Sequence, residues 1–409
     1  MMKVRSLKEQ YQIKDEILKE RLDKVLQPLM EECGIDVWLI PSKEYNEDPI
    51  FEVLTPSGFP TARRISVLVL HNDHQRVNCF NVGMADGELN RFYTQAWNRD
   101  KEDQFVALTN LLIKCDPQTI GLNYSANYAY CDGLSVGLFN LLQEKLPKDI
   151  TDKFISADQL GIRFLETRSE LELKYYPEVM AVAKSIIDQA YSSDVIKPGI
   201  STCDDVEWFM KEKVNQLGMT FWFPPTIDVQ RKSGMYNKDS KIEKGDLVHC
   251  DFGINYLGLC TDTQRLAYVL NDGETKLPQA LVDGMLENDR FQDIVASNYQ
   301  KGRSGNDVFK ASINQAEKEG IKAMLYTHPL GIHGHAAGPT IGLFSDQNPQ
   351  PIKGDLLIHP NTAYALELNT KRNIEGYDSE VFFFTEESVV FKDDELAYLA
   401  EGRKEITLI

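Results

Sequence analysis

Apolar side chains follow two different periods in the first part of the chain. In residues 6–33 the apolar side chains recur at helical spacing, which predicts an amphipathic helix. Ser6 is its candidate N-cap and Gly34 its candidate terminator. Short, nearly continuous apolar runs come next and predict buried strands. These runs are 35–40, 65–70, 77–82 and 119–123, with helical patterns at 104–115 and 134–145. Strands that alternate with helices predict an α/β domain over residues 1–162.

The second part of the chain has longer helical patterns and then a strand-rich tail. A helix is predicted from Ser169, which forms a capping-box pattern with Glu172. Further helical patterns cover 202–217, 275–300 and 304–319, and apolar strand patterns fill 321–391. Helices followed by strands predict an α+β domain over residues 163–409, in which helices back a curved antiparallel sheet.

The stretch from Gly245 to Arg265 predicts a hairpin with one aspartate in each arm. If its turn is centred between Tyr256 and Leu257, Asp251 lies directly opposite Asp262, with Cβ atoms about 5 Å apart. Two carboxylates in such an apolar setting repel each other unless a proton or a cation lies between them. The pair is therefore predicted to hold a metal or share a proton. The alternative is that one aspartate only caps a turn.

Three more candidate ligands lie in the strand-rich tail: His328, Glu367 and Glu386. Both glutamates are flanked by apolar residues, and a buried carboxylate is costly unless a cation balances it. Hard divalent cations prefer carboxylates with an occasional imidazole. The sequence leaves a buried ion pair with arginine or lysine open as the alternative.

The order of these motifs resembles that of the pita-bread metallopeptidases, which include aminopeptidase P, prolidase and methionine aminopeptidase. The resemblance rests on Gly-Asp at 245–246, Asp-Phe-Gly at 251–253, Thr-Asp at 261–262, His-x-x-Gly-x-x-x-His at 328–335 and Glu-Glu at 386–387. It covers about residues 165–395. It implies a C-terminal pita-bread domain, and the first 160 residues resemble the creatinase-like accessory domain of the aminopeptidase P and prolidase branch.

The resemblance also implies a site and a chemistry. It assigns two divalent metal ions to five ligands: Asp251, Asp262, His328, Glu367 and Glu386. This oxygen-rich set favours Mn²⁺, although Zn²⁺ or Co²⁺ would also fit. Glu367 is implied as the proton carrier and His335 as a contact to the substrate carbonyl. His333 and His335 compete with His328 for the ligand position, and Glu380 competes with Glu386. The family offsets favour His328 and Glu386.

Two departures from the family pattern concern substrate handling. The substrate-binding histidine expected before Gly245 is absent, and Phe384 stands near the position where the family commonly has an arginine. His249 precedes Asp251 by two residues and should share its strand face. We therefore predict that His249 takes over part of the missing catalytic role, with a satisfied core histidine as the alternative.

The amino-acid composition of the chain excludes some classes of binding partner and indicates a cellular compartment. The chain has 62 acidic and 44 basic residues, a formal charge of −18, which argues against nucleic acid and anionic membranes as partners. No apolar run approaches the length of a membrane span. Seven cysteines without CxxC spacing, and no visible signal-peptide core, predict reduced thiols in the cytoplasm.

Together these observations predict a cytoplasmic metallopeptidase that cleaves small peptides near a free amino terminus. The resemblance implies an Xaa-Pro aminopeptidase or an Xaa-Pro dipeptidase, and a homodimer. Two rival functions remain open: another amide or C–N hydrolase on the same fold, like creatinase, or a binding protein on an inactive catalytic fold.

Overall fold

The computed structural model describes residues 4–400 and 405–409. The chain forms two compact units, Arg5–Leu171 and Glu172–Ile409. The first unit alternates strands and helices and the second is an α+β unit, so the predicted fold class is confirmed. The assignment of domains to residues 1–162 and 163–409 stays a prediction.

A mixed sheet of six strands organises the first unit. Its strands are β1 Val37–Lys43, β2 Ile65–Asn72, β3 Val77–Val82, β4 Thr94–Gln95, β5 Ile120–Leu122 and β6 Phe154–Ser156. They lie in the order β4-β3-β2-β1-β5-β6, and β1 pairs antiparallel with β2 and parallel with β5. The apolar runs of the sequence form the central strands, where residues such as Leu39 and Val69 are fully buried.

Seven α-helices accompany this sheet. They are α1 Leu7–Glu20, α2 Leu26–Cys33, α3 Pro49–Leu54, α4 Gln104–Cys115, α5 Val136–Lys145, α6 Lys148–Thr151 and α7 Asp158–Glu166. Ser6 caps α1 in a capping box with Glu9, and Gly34 ends α2 in the left-handed conformation, at φ 65°. The helix predicted over 6–33 contains a π-helical turn that begins at Arg21, a buried residue that donates to the carbonyl of Thr167.

The second unit is built on a ten-stranded, mainly antiparallel sheet. Its path runs through β14 Ala323–Leu325, β16 Thr362–Arg372, β17 Val381–Lys392, β13 Thr263–Tyr268, β10 Leu247–Phe252, β8 Thr226–Arg231 and β9 Gly234–Asn237. Off this path, β15 His328–Leu330 pairs with β16, β18 Glu395–Tyr398 with β17 and β19 Thr407–Leu408 with β13. A separate three-stranded sheet contains β7 Thr220–Phe221, β11 Ile254–Tyr256 and β12 Leu259–Cys260.

Helices cover one face of the large sheet. The helices of this unit are α8 Glu170–Ala190, α9 Cys203–Gln216, α10 Gln279–Asn298 and α11 Gly305–Lys318. α10 lies so close to β17 that a Cβ at Gly284 would fall 2.0 Å from the ring of Phe383. Tyr364 and Val389 belong to the buried apolar cluster under these helices. Within the described residues, no helix is long and apolar enough to cross a bilayer.

The central hairpin exists, but its predicted register is wrong. Asp251 pairs with Gln264, and not with Asp262. The turn is centred one residue later than predicted, on Leu257 and Gly258, whose φ angles are 58° and 77°. Two positive φ angles are what a type I′ hairpin turn requires. Moving the turn by one residue shifts every cross-strand partner by two, so Asp262 lies diagonally from Asp251.

Candidate metal centre

Two glutamates that face each other lie at the centre of the candidate site. Glu367 on β16 is directly opposite Glu386 on β17, and Gln264 on β13 lies opposite Glu386 on its other side. Directly opposed residues of antiparallel strands share one face of the sheet. Leu366 and Leu368 belong to the apolar cluster on the helical face. Strand alternation therefore turns Glu367 and Glu386 to the other face.

Asp262 and His328 reach the same place from two other segments. Asp262 lies in the short connection between β12 and β13, and His328 is the first residue of β15. Nε2 of His328 lies 3.4 Å from Oδ2 of Asp262. It also lies 3.9 Å from Oε2 of Glu367 and 3.9 Å from Oε1 of Glu386. One ligand atom each from Asp262, His328 and Glu386 fits within 4.8 Å of the others.

The carboxyl groups of this site disturb each other's protonation. Burial raises the pKa of Asp251 to about 8, and the negative charge of Asp262 adds to that rise. Burial and the charge of Asp262 also raise the pKa of Glu367 and of Glu386 well above their ordinary values. Ionised carboxylates held this close repel one another, and a bound cation would favour their charged forms.

Several atoms of the site lack the hydrogen bonds that buried polar atoms normally make. Buried oxygens of Asp251, Asp262 and Glu386 receive no hydrogen bond from any residue that the structure describes, and Nε2 of His328 has no hydrogen-bond partner there either. A buried polar atom without a partner costs about 1–3 kcal/mol. Carboxylate oxygens and one imidazole nitrogen are donors that divalent cations such as Mn²⁺ or Zn²⁺ accept. The residues present therefore fit a metal site.

The competing glutamates have other partners. Glu380 forms ion pairs with Lys322 and Lys371, at 2.6 and 2.9 Å. Glu387 is 1% exposed and accepts from Nη2 of Arg265 at 2.8 Å. The buried ion pair that the sequence left open for a buried glutamate therefore exists, but one residue after Glu386 and on the opposite face of β17.

His335 lies beside His328 at the rim of the site. The two ring centroids are 4.7 Å apart in an edge-to-face arrangement, and the residue is exposed. Partial desolvation and the neighbouring His328 lower the pKa of His335, so its imidazole is neutral near pH 7. The choice of His328 over His333 and His335 as ligand stays a prediction, as do the assigned roles of the other site residues.

His249 shares the sheet face of the site but has both ring nitrogens engaged. Nδ1 lies 2.8 Å from Oδ2 of Asp228, and Nε2 lies 3.0 Å from Oε1 of Gln264. The ring packs against Phe384 at 4.9 Å and the residue is 7% exposed. Burial opposes a positive charge here, but the Asp228 carboxylate outweighs it and raises the pKa of His249. Both ring nitrogens therefore have protein partners, as the alternative of a satisfied core histidine expects, and the catalytic role of His249 stays a prediction.

Sequence reasoning missed two polar residues of this network, Asp228 and Gln264. The side chain of Gln264 contacts two residues of the network. Its Oε1 lies 3.0 Å from Nε2 of His249, and its Nε2 donates to Oε1 of Glu367 at 2.5 Å. Gln264 follows Asp262 by two residues, a spacing that predicts a shared strand face and was a usable signal, although the structure places Asp262 just before β13 begins. Asp228 lies on β8 directly opposite His249, a pairing that only the folded sheet reveals.

Trp222 forms an aromatic wall that the sequence did not single out. Its ring lies 5.0 Å from the ring of His335, and its Nε1 donates to the carbonyl of Thr261 at 2.9 Å. Two glycines make room for the indole. A Cβ at Gly334 would lie 2.2 Å from its ring atoms, and a Cβ at Gly253 would lie 2.3 Å from its Nε1.

Comparisons with known proteins identify a family and several similar folds. The model of metallopeptidase family M24 matches residues 175–394. The comparison with curated proteins finds no match. Among solved structures, an X-Pro aminopeptidase from Thermotoga maritima is similar over 93% of this chain and 100% of its own, with 16% identity and a TM-score of 0.67. An Xaa-Pro dipeptidase from Bacillus anthracis matches over 97% and 100%, with 16% identity and a TM-score of 0.62.

The same fold occurs in a protein that is not described as a peptidase. The N-terminal domain of the FACT complex subunit SPT16 from chickpea, Cicer arietinum, is similar over 95% of this chain and 97% of its own, with 11% identity and a TM-score of 0.59. Identities this low establish the fold alone. The family match and these structures confirm the resemblance to the pita-bread enzymes that the sequence motifs indicated.

Proposed function

The chain belongs to metallopeptidase family M24, and on that premise we propose that it hydrolyses a peptide bond near the free amino terminus of small peptides. The proposed activity is that of an Xaa-Pro aminopeptidase or Xaa-Pro dipeptidase. The observation that carries this proposal is the convergence of Asp262, His328 and Glu386 within 4.8 Å. The similarity to two solved structures, an X-Pro aminopeptidase and an Xaa-Pro dipeptidase, supports the substrate class.

The proposed metal ligands are Asp251, Asp262, His328, Glu367 and Glu386. Two divalent ions held there, with Mn²⁺ favoured, would supply an activated water and polarise the scissile carbonyl. The crowding of acidic groups supports this assignment, since burial and mutual repulsion raise the pKa of Asp251 and Glu367. The oxygen-rich donor set supports Mn²⁺ over softer metals.

Protein groups then carry the proton and orient the substrate. Glu367 has one oxygen tied to Gln264 and the other, Oε2, turned towards His328. In the proposed reaction the Glu367 carboxylate takes the proton of the attacking water and passes it to the leaving amine. The exposed ring of His335 donates a hydrogen bond to the oxygen of the scissile carbonyl, where negative charge develops. Trp222 holds that ring from one side.

The setting of the enzyme is proposed on more general grounds. The excess of acidic residues supports a peptide substrate rather than nucleic acid. Reduced cysteines support a cytoplasmic location, and within the part of the chain that the structure describes none of the seven cysteines forms a disulfide. We propose a homodimer from the resemblance to the family. We also propose that residues 1–162 form the accessory domain of the enzyme.

A pair of matched variants tests the proposal. Glu386→Gln removes a proposed ligand, while Glu380→Gln changes a glutamate that pairs with surface lysines just before the same strand. We expect wild type and Glu380→Gln to bind Mn²⁺ and to cleave Xaa-Pro peptides. Glu386→Gln should lose metal and fall at least about a hundredfold in turnover. Cleavage of non-proline peptides alone would keep the site and change the specificity.

A binding role on the same fold is the second candidate, and the match to the SPT16 domain is what favours it. It predicts no turnover on any peptide and no metal dependence of partner binding. An amide or C–N hydrolase related to creatinase is the third, and it predicts turnover that survives treatment with a chelator. Metal content and chelator sensitivity therefore separate the three.

A further inference from the structure

Four polar side chains form a hydrogen-bonded line across five neighbouring strands of the large sheet. Asp228 on β8 contacts His249 on β10 at 2.8 Å, and His249 contacts Gln264 on β13 at 3.0 Å. Gln264 then extends past Glu386 on β17 and donates to Glu367 on β16 at 2.5 Å. The line ends on one of the proposed metal ligands.

The chemistry of these groups fixes the direction of every bond in the line. With a cation bound, the Glu367 carboxylate is ionised and can only accept, so the amide nitrogen of Gln264 must face it. The amide oxygen of Gln264 then faces Nε2 of His249, which donates to it. Rotating the amide by half a turn would place oxygen against the Glu367 carboxylate and NH₂ against an N–H. Gln264 is therefore held in one orientation from both ends.

Because Gln264 is buried, breaking the hydrogen bonds that orient its amide costs free energy. Gln264 is 3% exposed and His249 is 7% exposed, so water cannot easily replace either partner. The bond from Gln264 occupies Oε1 of Glu367 and leaves Oε2 at 3.9 Å from Nε2 of His328. One oxygen of the carboxylate is thus tied to the sheet while the other faces the candidate metal centre.

We propose that Gln264 is a positioning residue, which fixes the Glu367 carboxylate for metal binding and is itself held in place by His249 and Asp228. This inference rests on the proposed metal site. It gives His249 a role different from the substrate contact predicted from its position in the sequence, because the imidazole acts through Gln264. Groups that orient a metal ligand typically change metal affinity 10- to 100-fold when they are removed.

The test is the Mn²⁺ affinity of Gln264→Met, measured by titration calorimetry on metal-free protein. Methionine keeps the length of the side chain and removes both hydrogen bonds. We expect the affinity to fall about 10- to 100-fold. The matched control is Gln230→Met, since Gln230 is also buried and makes two hydrogen bonds, both to the backbone of Phe382. It should bind Mn²⁺ as wild type does.

A double-mutant cycle distinguishes positioning from general loss of structure. His249→Phe should weaken Mn²⁺ binding in wild type but change it little when Gln264 is already methionine. Asp228→Asn, at a partly exposed position, should weaken binding several-fold in the same direction.

Three results would overturn the inference. They are unchanged Mn²⁺ affinity in Gln264→Met, equal loss in the Gln230→Met control, and full additivity of the His249 and Gln264 changes. A wild-type protein that binds no Mn²⁺ would overturn the metal site and the positioning role together. Wild-type binding with an unaffected Gln264→Met would overturn the positioning role alone.

Discussion

Glu386 and Glu387 are adjacent in sequence, yet the structure predicts opposite consequences when each is replaced by glutamine. Both are 1% exposed. Glu387 faces Arg265 at 2.8 Å, whereas Glu386 lies among carboxylates, and burial together with their negative charges raises its pKa. The charge of Glu387 is thus balanced by Arg265. The charge of Glu386 requires a bound metal ion to balance it.

The sizes of the two effects follow from these partners. Glu387→Gln leaves the Arg265 guanidinium without its carboxylate in a largely buried place, which typically costs 3–5 kcal/mol. We expect about 3 kcal/mol, because the amide oxygen can still accept one hydrogen bond. Glu386→Gln removes a buried acid whose ionisation is opposed by burial and by the neighbouring carboxylates, so the metal-free protein should become more stable at pH 8.

Urea unfolding of chelator-treated protein at pH 8 measures both stabilities, and elemental analysis measures bound metal. We expect Glu387→Gln to unfold at lower urea and keep its metal. Glu386→Gln should unfold at higher urea and lose its metal. The reverse assignment, with metal lost only in Glu387→Gln, would refute our account of which acid faces the metal.

Three further predictions concern the pH response and the rim of the site. Because the folded-state pKa of Asp251, about 8, lies above its ordinary value of 3.8, the metal-free protein binds extra protons between these limits. The free energy of unfolding of the metal-free protein should therefore fall as pH rises from 5 to 8. Saturating Mn²⁺ should remove that fall. A urea midpoint that does not change with pH in the metal-free protein would contradict this prediction. Gly334→Ala should displace Trp222 and lower turnover at least about tenfold at unchanged metal content, while Gly87→Ala, with open space around it, should change neither. His335→Ala should lower kcat about 10²-fold and keep the metal, and metal loss would instead make His335 a ligand.

Local signals in the sequence were sufficient for most of the fold. The cap at Ser6, the stop at Gly34 and the apolar runs of the first unit are each encoded within a few residues, and the structure contains them as predicted. The π-helical turn at Arg21 was not predictable, because the partner that Arg21 bonds, Thr167, lies 146 residues away.

The candidate site also combines features that neighbouring residues encode with features that depend on contacts between distant parts of the sequence. Glu367 and Glu386 were identifiable because each interrupts an apolar strand, and strand pairing places them opposite each other. The hairpin register failed on a single residue, since Leu257 adopts a positive φ that its side chain does not favour. Asp228 could not be found, because its meeting with His249 depends on the pairing of β8 with β10.

The most direct test of the central claim is the Mn²⁺ content of purified wild-type protein after reconstitution, with the turnover of an Xaa-Pro dipeptide recorded on the same sample. Our account predicts about two bound ions per chain and hydrolysis that a chelator abolishes. A protein that retains no metal and cleaves none of the peptides would contradict it, and would favour a binding role for this fold.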